Sequence, residues 1–250
     1  MSGHSHWSSI KHKKASADAK RGKSWSKVAR MIIMAAKRGG GDTNANIPLR
    51  YAIDKAKAVN MPKDTIEKAI KKATGEGAAI NYEEMAYEGY GPKGVAIMVD
   101  VLTDNRTRTV AEIKKIFERH NGALGATGCV GWMFHKKGLI TVKTEAVKED
   151  DLFEIALAAG ADDLKNTGQY FEITCQPAAF LGLKKALEAK QIPMEVAELS
   201  MVPSSEVPIN DPETARKIIA IMDEFEDNED VQNAYANFNI PDDVMARVSS

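Results

Sequence analysis

Residues 139–201, LITVKTEAVKEDDLFEIALAAGADDLKNTGQYFEITCQPAAFLGLKKALEAKQIPMEVAELSM, decide the fold. Strand-like runs at 139–143, 161–164, 169–175 and 195–201 are separated by helical periodicity at 150–159 and 177–189. The order β-α-β-β-α-β matches the split βαβ arrangement of ferredoxin-like domains. Immediately upstream, 82–90 and 95–102 read as strands joined through Gly91-Pro92-Lys93-Gly94, a turn composition that predicts a hairpin. Thr109 and Glu112 predict a capping box near the start of a helix that runs to Arg119 and closes at Asn121-Gly122; 129–134 then reads as a strand.

That upstream segment has only the order β-β-α-β, with no second helix to cover its sheet. The C-terminal segment supplies what is missing. Asp211 is placed to cap a helix with Pro212 at its first position, running to about Phe225, and 231–238 provides a further strand. The sequence therefore predicts an α+β middle domain that is discontinuous, built from 80–135 plus 206–250, with a second α+β domain, 136–205, inserted between. Both are expected to be ferredoxin-like in type, and 250 residues suit more than one domain.

The N-terminal third differs. Residues 1–22 mix Gly, Ser, His and Lys with few large apolar groups and predict a flexible basic arm. From Ser24, the residues Trp25, Val28, Ala29, Ile32 and Ala36 recur at helical spacing, with Lys23, Lys27, Arg30 and Lys37 on another face. This helix should stop at Gly39-Gly40-Gly41. A second is expected from about Pro48 to Val59, and a third after Asn60 with Asp64 and Glu67 in its first turn, ending at Gly75. Residues 23–79 thus form an all-helical domain. Register places Trp25 in its core, whereas Trp7 lies outside any apolar period and suits a ligand or interdomain contact.

Charge is the strongest functional signal. Residues 1–75 hold 17 Lys/Arg against 5 Asp/Glu, a local charge of +12, while the remainder carries −13. Such a basic segment rewards polyanion binding, because each neutralised phosphate releases condensed counterions. The expected phosphate contacts are Lys11, Lys13, Lys14, Lys20, Arg21, Lys23, Lys27, Arg30, Lys37 and Arg38. Phosphate contacts position a nucleic acid without reading its bases, so they leave sequence specificity open.

Other chemistries fit poorly. Gly22-Lys23-Ser24 lacks the earlier glycine of a P-loop, since Ala17 stands there. Gly89, Gly91 and Gly94 spell GxGxxG within a hairpin rather than a strand-to-helix turn. His4, His6 and His12 have no fourth metal ligand placed. Cys129 beside His135 lacks the setting of an activated thiolate, both cysteines, Cys129 and Cys175, read as small buried hydrophobes, and 223–230 (DEFEDNED) lacks the spacing of an EF-hand loop and reads as a solvated helix end and turn. The Asn105-Arg106-Thr107 sequon has no use in a cytoplasmic protein. No run approaches the roughly 18 apolar residues that span a bilayer. The expectation is a cytoplasmic, non-enzymatic protein with no cofactor, no bound metal and no membrane contact.

Several segments resemble the YebC family of bacterial proteins, whose mitochondrial relative is the translational activator of cytochrome c oxidase. They are GHSHWSSIKHKK with DAKRGK, GGGDTNANIPLRYAIDKAKAVNMPKD, YEGYGPKGVAIMVDVLTDNRTRT, ALGATGCVGWMFHKKGLI and the terminal DVQNAYANFN. They span nearly the whole chain, departing only in details such as His6 before Trp7 and Cys129 where Ser is usual. The resemblance implies a helical N-terminal domain, two α+β domains and no catalytic centre. It also implies a regulator: a DNA-binding transcriptional protein foremost, with a translation factor on ribosomal RNA as the alternative. Protein partners for the acidic domains are the remaining expectation.

Overall fold

The computed structural model describes residues 18–75 and 82–249. The arm residues before Asp18, with Trp7 and the three histidines, lie outside them. Helix α1 (Asp18–Gly39) begins inside the stretch expected to be an arm, because Ala19, Lys20 and Arg21 are good helix formers. It buries Val28, Ile32, Ile33 and Ala36 against α2 (Ile47–Ala58) and α3 (Lys63–Thr74). Trp25 joins this core as its register requires, and its indole Nε1 donates to the Val59 carbonyl at 3.0 Å. Each fully buried side chain such as Ile32 or Leu49 contributes about 1.5–3 kcal/mol.

The α1–α2 corner rests on a single amide. Asn46 caps α2 by accepting from Leu49 N at 3.1 Å, while its Nδ2 donates to the carbonyls of Ala35 and Gly40, both at 2.8 Å. Gly40 takes φ +80°, a conformation glycine adopts without strain, so the chain can turn there. Replacing Asn46 with Ala removes the cap and orphans a buried N–H and two carbonyls. Urea unfolding is expected to show a loss of about 2–3 kcal/mol.

The middle sheet starts with the predicted hairpin of β1 (Glu83–Tyr90) and β2 (Ala96–Thr103), paired antiparallel from Glu83 opposite Thr103 to Tyr90 opposite Ala96. Helix α4 (Arg106–Arg119) follows. Asn105 caps it by accepting from Arg108 N, so the Thr109–Glu112 capping box does not form; the Thr109 hydroxyl turns to Thr103 and Asp230 instead. The expected strand at 129–134 is also absent. The sheet's third strand is the short edge β3 (Ala123–Leu124), and the stretch read as a strand is instead a loop passing into a 3-10 turn at Gly131–Met133, with the N–H groups of Gly128, Val130 and Gly131 gathered by Glu88.

Strand β4 (Phe134–Lys143) then opens the second sheet, so the expected boundary at 135/136 falls inside a strand. It is followed by α5 (Glu149–Ala158), β5 (Ala161–Asn166), β6 (Tyr170–Cys175), α6 (Phe180–Ala189) and β7 (Val196–Pro203). The antiparallel order β5-β6-β4-β7 is that of the ferredoxin-like split βαβ. One face of this sheet packs Ile140, Val142, Phe171 and Ile173 against Leu152, Leu183 and Leu187 of the helices.

After β8 (Val207–Pro208), helix α7 (Pro212–Asp227) is capped by Asp211, which accepts from Glu213 N and Thr214 N. Strand β9 (Val231–Ala236) returns to pair with β2, giving the order β3-β1-β2-β9. Helices α4 and α7 cover one face, with Phe117 and Phe225 edge-to-face at 5.0 Å. The short β10 (Phe238–Asn239) pairs parallel with β8, and α8 (Asp242–Ser249) adds Val244 and Met245 to the same core. Because β9 pairs with β2 and shares its core, we propose that the residues either side of 134–203 fold as one unit with that stretch inserted.

Candidate nucleic-acid interface

The ten predicted phosphate contacts fall into four groups. Lys11, Lys13 and Lys14 lie outside the described residues. Lys20, Arg21 and Lys23 occupy the first turns of α1. Lys27 and Arg30 face the middle domain: Lys27 Nζ donates to the Glu226 carbonyl at 2.5 Å, and Arg30 Nη1 donates to the Glu229 carbonyl at 2.5 Å and to Asp230 Oδ1 at 2.7 Å. Lys37 and Arg38 are exposed at the far end of the helix, where Arg38 meets Glu84 at 3.1 Å in an exposed pair. The predicted stripe is therefore split between an interdomain dock and an open corner.

Composition of the acidic run gives no sign of the dock. Expected to be solvated, that run instead places Asp230 in the interior at 3% exposure. Its carboxylate accepts from Arg108 Nη2 at 2.8 Å, from the hydroxyls of Thr109 and Thr103 at 2.7 and 3.2 Å, and from Arg30. Burial alone would push this carboxyl up; hydrogen bonds from Arg108 and Thr109, with the charges of Arg30 and Arg108, outweigh it and hold it below the usual range. Glu224, in the same run, is held by Arg119 and by His120 at 2.7 Å. Arg30 also lies over the Tyr82 ring at 5.9 Å, and Tyr82, just ahead of β1, packs against the helical core.

The open corner combines cations with apolar surface. Arg38, Arg50 and Ile47, the last 71% exposed, surround the Gly-rich turn, and Arg50 braces it by donating to the carbonyls of Thr43 and Asn44. Tyr51 is 41% exposed, with Lys55 Nζ 5.1 Å from its ring centroid. An exposed ring among cations is suited to stacking on a base while phosphates are neutralised.

This corner borders a cleft of about 860 Å³. Met31, Met34 and Tyr51 form one wall, Asp100 and Asn233 of the middle sheet form the other, and Lys136 of β4 stands at its edge. Burial pushes the Asp100 carboxyl up, against the Tyr235 hydrogen bond and the charge of Lys136.

A second exposed feature lies at the 125–133 loop. Trp132, 69% exposed, and Tyr90 both donate to the Cys129 carbonyl, at 3.2 and 3.0 Å. Cys129 itself is no activated nucleophile, since burial and the Glu88 charge push its thiol up. Gly89, Gly91 and Gly94 sit at the β1–β2 turn, as the hairpin reading required. Among the described residues, no three His, Cys, Asp or Glu side chains are grouped to hold a metal ion, and no helix is long and apolar enough to cross a membrane.

Comparison with known proteins supplies the family. Residues 5–76 match the TACO1/YebC protein N-terminal domain, and residues 82–238 match the TACO1/YebC second and third domain. A protein of Syntrophobacter fumaroxidans named "Probable transcriptional regulatory protein" is 52% identical over 249 residues, covering all of both chains. One of Geobacter sulfurreducens with the same description is 52% identical over 248 residues, 99% of this chain and 100% of its own. The crystal structure of a conserved hypothetical protein from Aquifex aeolicus superposes with a TM-score of 0.81 at 46% identity, covering 95% of this chain and 98% of that one. With both parts of the family description matched along the chain, this protein belongs to the TACO1/YebC family.

Proposed function

We propose that this protein is a nucleic-acid-binding regulator, acting in the cytoplasm on DNA as a transcriptional regulator and without catalysis of its own. The observation that carries the reading is the cationic, aromatic corner formed by Arg38 at the end of α1 with Arg50, Tyr51 and Lys55 of α2. The names of the relatives support a regulatory role in transcription. A second reading, a translation factor on structured ribosomal RNA, draws on the dock. With Lys27 and Arg30 engaged on 226–230, α1 lacks a continuous cationic face to lay in a DNA groove, whereas a compact corner suits an irregular RNA surface.

The test is binding of the full chain to duplex DNA and to ribosomal RNA across a salt series. Log affinity should fall linearly with log salt. Changing Arg38 and Arg50 together to Ala should lower the slope by about one unit per lost phosphate contact. The polymer with the tighter binding and steeper slope is the target. An unchanged slope in the double variant would remove the corner from the interface.

A further inference from the structure

Beyond phosphate contacts, selectivity for sequence needs a place where bases are read. The cleft beside Tyr51 has the construction of such a place. Its middle-domain wall contains an irregularity in the sheet. Asp100 pairs with Asn233 and Val101 with Val231, so Gln232 is an extra residue on β9 with no partner on β2. A bulge of this kind bends the strand and re-aims its side chains. Gln232, the extra residue, and Asn233 beside it both border the cleft.

Asp100 stands directly across from Asn233, within about 4.5–5.5 Å between β-carbons for such a pair. Its carboxylate takes one hydrogen bond from Tyr235, which leaves most of its acceptor sites open. Gln232 Nε2 is a buried donor with no partner among the described residues. A carboxylate that accepts two hydrogen bonds, beside an amide that donates one, is the complement of a guanine Watson–Crick edge: N1–H and the exocyclic amine face the carboxylate, and O6 faces the amide. The opposite wall offers Tyr51 and the polarizable side chains of Met31 and Met34 to the face of a base. At the mouth, Arg38 makes an exposed pair with Glu84 and can exchange that carboxylate for a phosphate.

We propose that the cleft between the helical unit and the middle sheet receives one unstacked guanine of a bound strand, read by Asp100 and Gln232 while Arg38 and Lys136 hold the flanking phosphates. The proposal rests on the nucleic-acid reading above and adds base selection to it. An unstacked guanine is available from single-stranded RNA, from a loop in folded RNA or from melted DNA, and the chemistry at the pocket is the same for each.

The experiment is fluorescence anisotropy of the full chain with short, labelled uridine-rich RNA strands that carry a single central guanine, adenine or inosine. Thymidine-rich DNA counterparts and a duplex form the other arms. Guanine should be preferred over adenine by about tenfold, the discrimination typical of one bidentate base contact. Inosine, which lacks the exocyclic amine, should fall between. Asp100→Asn should erase the preference and leave the salt slope unchanged. Gln232→Met, which keeps bulk and removes the unpartnered donor, should narrow it, and provides an independent arm if Asp100→Asn does not fold. Equal binding of all strands by the native protein would overturn the proposal while leaving nucleic-acid binding intact. No binding to any strand, duplex or ribosomal RNA would overturn the underlying reading as well. Guanine preference in the RNA arm alone would assign the source to RNA, and preference in both to any exposed strand.

Discussion

Asp230→Ala is expected to lower the unfolding free energy by about 3–5 kcal/mol in urea titrations, the cost of removing one partner from a buried ionic cluster. The substitution strands two arginines and two hydroxyls at once. Arg108 and Arg30 lose their closest carboxylate, and Thr103 and Thr109 lose a shared acceptor inside the protein. The same carboxylate joins the helical unit to the middle domain, so protease sensitivity of the segment linking them should rise together with the loss of stability. Arg30→Ala should cost less, because Asp230 retains Arg108 and both threonines.

The pH dependence follows from the direction of the shift. Asp230 is held below the ordinary aspartate range in the native state, so its contribution is fully present above the unfolded value of about 3.9 and is lost as pH falls through the native one. Native protein should therefore lose stability on acidification below about pH 4, and the Asp230→Ala variant should show a shallower decline over that window. Parallel curves for the two proteins would show that the carboxylate is not ionised in the dock.

The second large effect is expected at Glu88. This side chain, 7% exposed, accepts from the backbone N–H groups of Gly128, Val130 and Gly131 at 2.8, 2.8 and 2.6 Å. Burial would raise its pKa, but these three donors outweigh burial and lower it. Glu88→Ala leaves three N–H groups without their acceptor, that of Val130 buried and those of Gly128 and Gly131 partly buried, and should cost about 3–5 kcal/mol. Glu88→Gln keeps the shape but directs an amide N–H₂ at the same donors, and should recover only part of the loss. Amide exchange at 128–131 is the direct measurement, and Trp132 fluorescence should report the loosened loop. Unchanged protection of those amides in Glu88→Ala would show that the loop holds itself.

Where periodicity and turn chemistry act locally, the elements are legible in the residues themselves. Asp211-Pro212 starts a helix by cap and fixed φ, and the glycines after Arg38 end one. The order of elements over 134–203 matches the split βαβ arrangement, and the strand order agrees with it. Local reading fails where a distant group redirects a short segment. Residues 129–134 read as a strand, yet Glu88 collects the N–H groups of Gly128, Val130 and Gly131 and holds the start of that stretch out of the sheet. Thr109 matches a capping pattern, yet its hydroxyl goes to Thr103 and Asp230, and Asn105 caps the helix.

By itself the sequence determined most of the element types, the β-α-β-β-α-β order over 134–203 and the segregation of positive charge into the N-terminal third, because each depends on neighbours a few residues apart. Only the tertiary structure decided what those charges do. The pairing of β9 with β2 brings Asp230 beside Arg108 and within reach of Arg30, which turns part of a basic stripe into a dock and leaves Arg38, Arg50 and Lys55 at the open corner. The same pairing contains the bulge at Gln232, beside the cleft. Burial of a single carboxylate, or the facing of a single amide, is set by contacts more than a hundred residues apart along the chain, and composition and periodicity do not encode it.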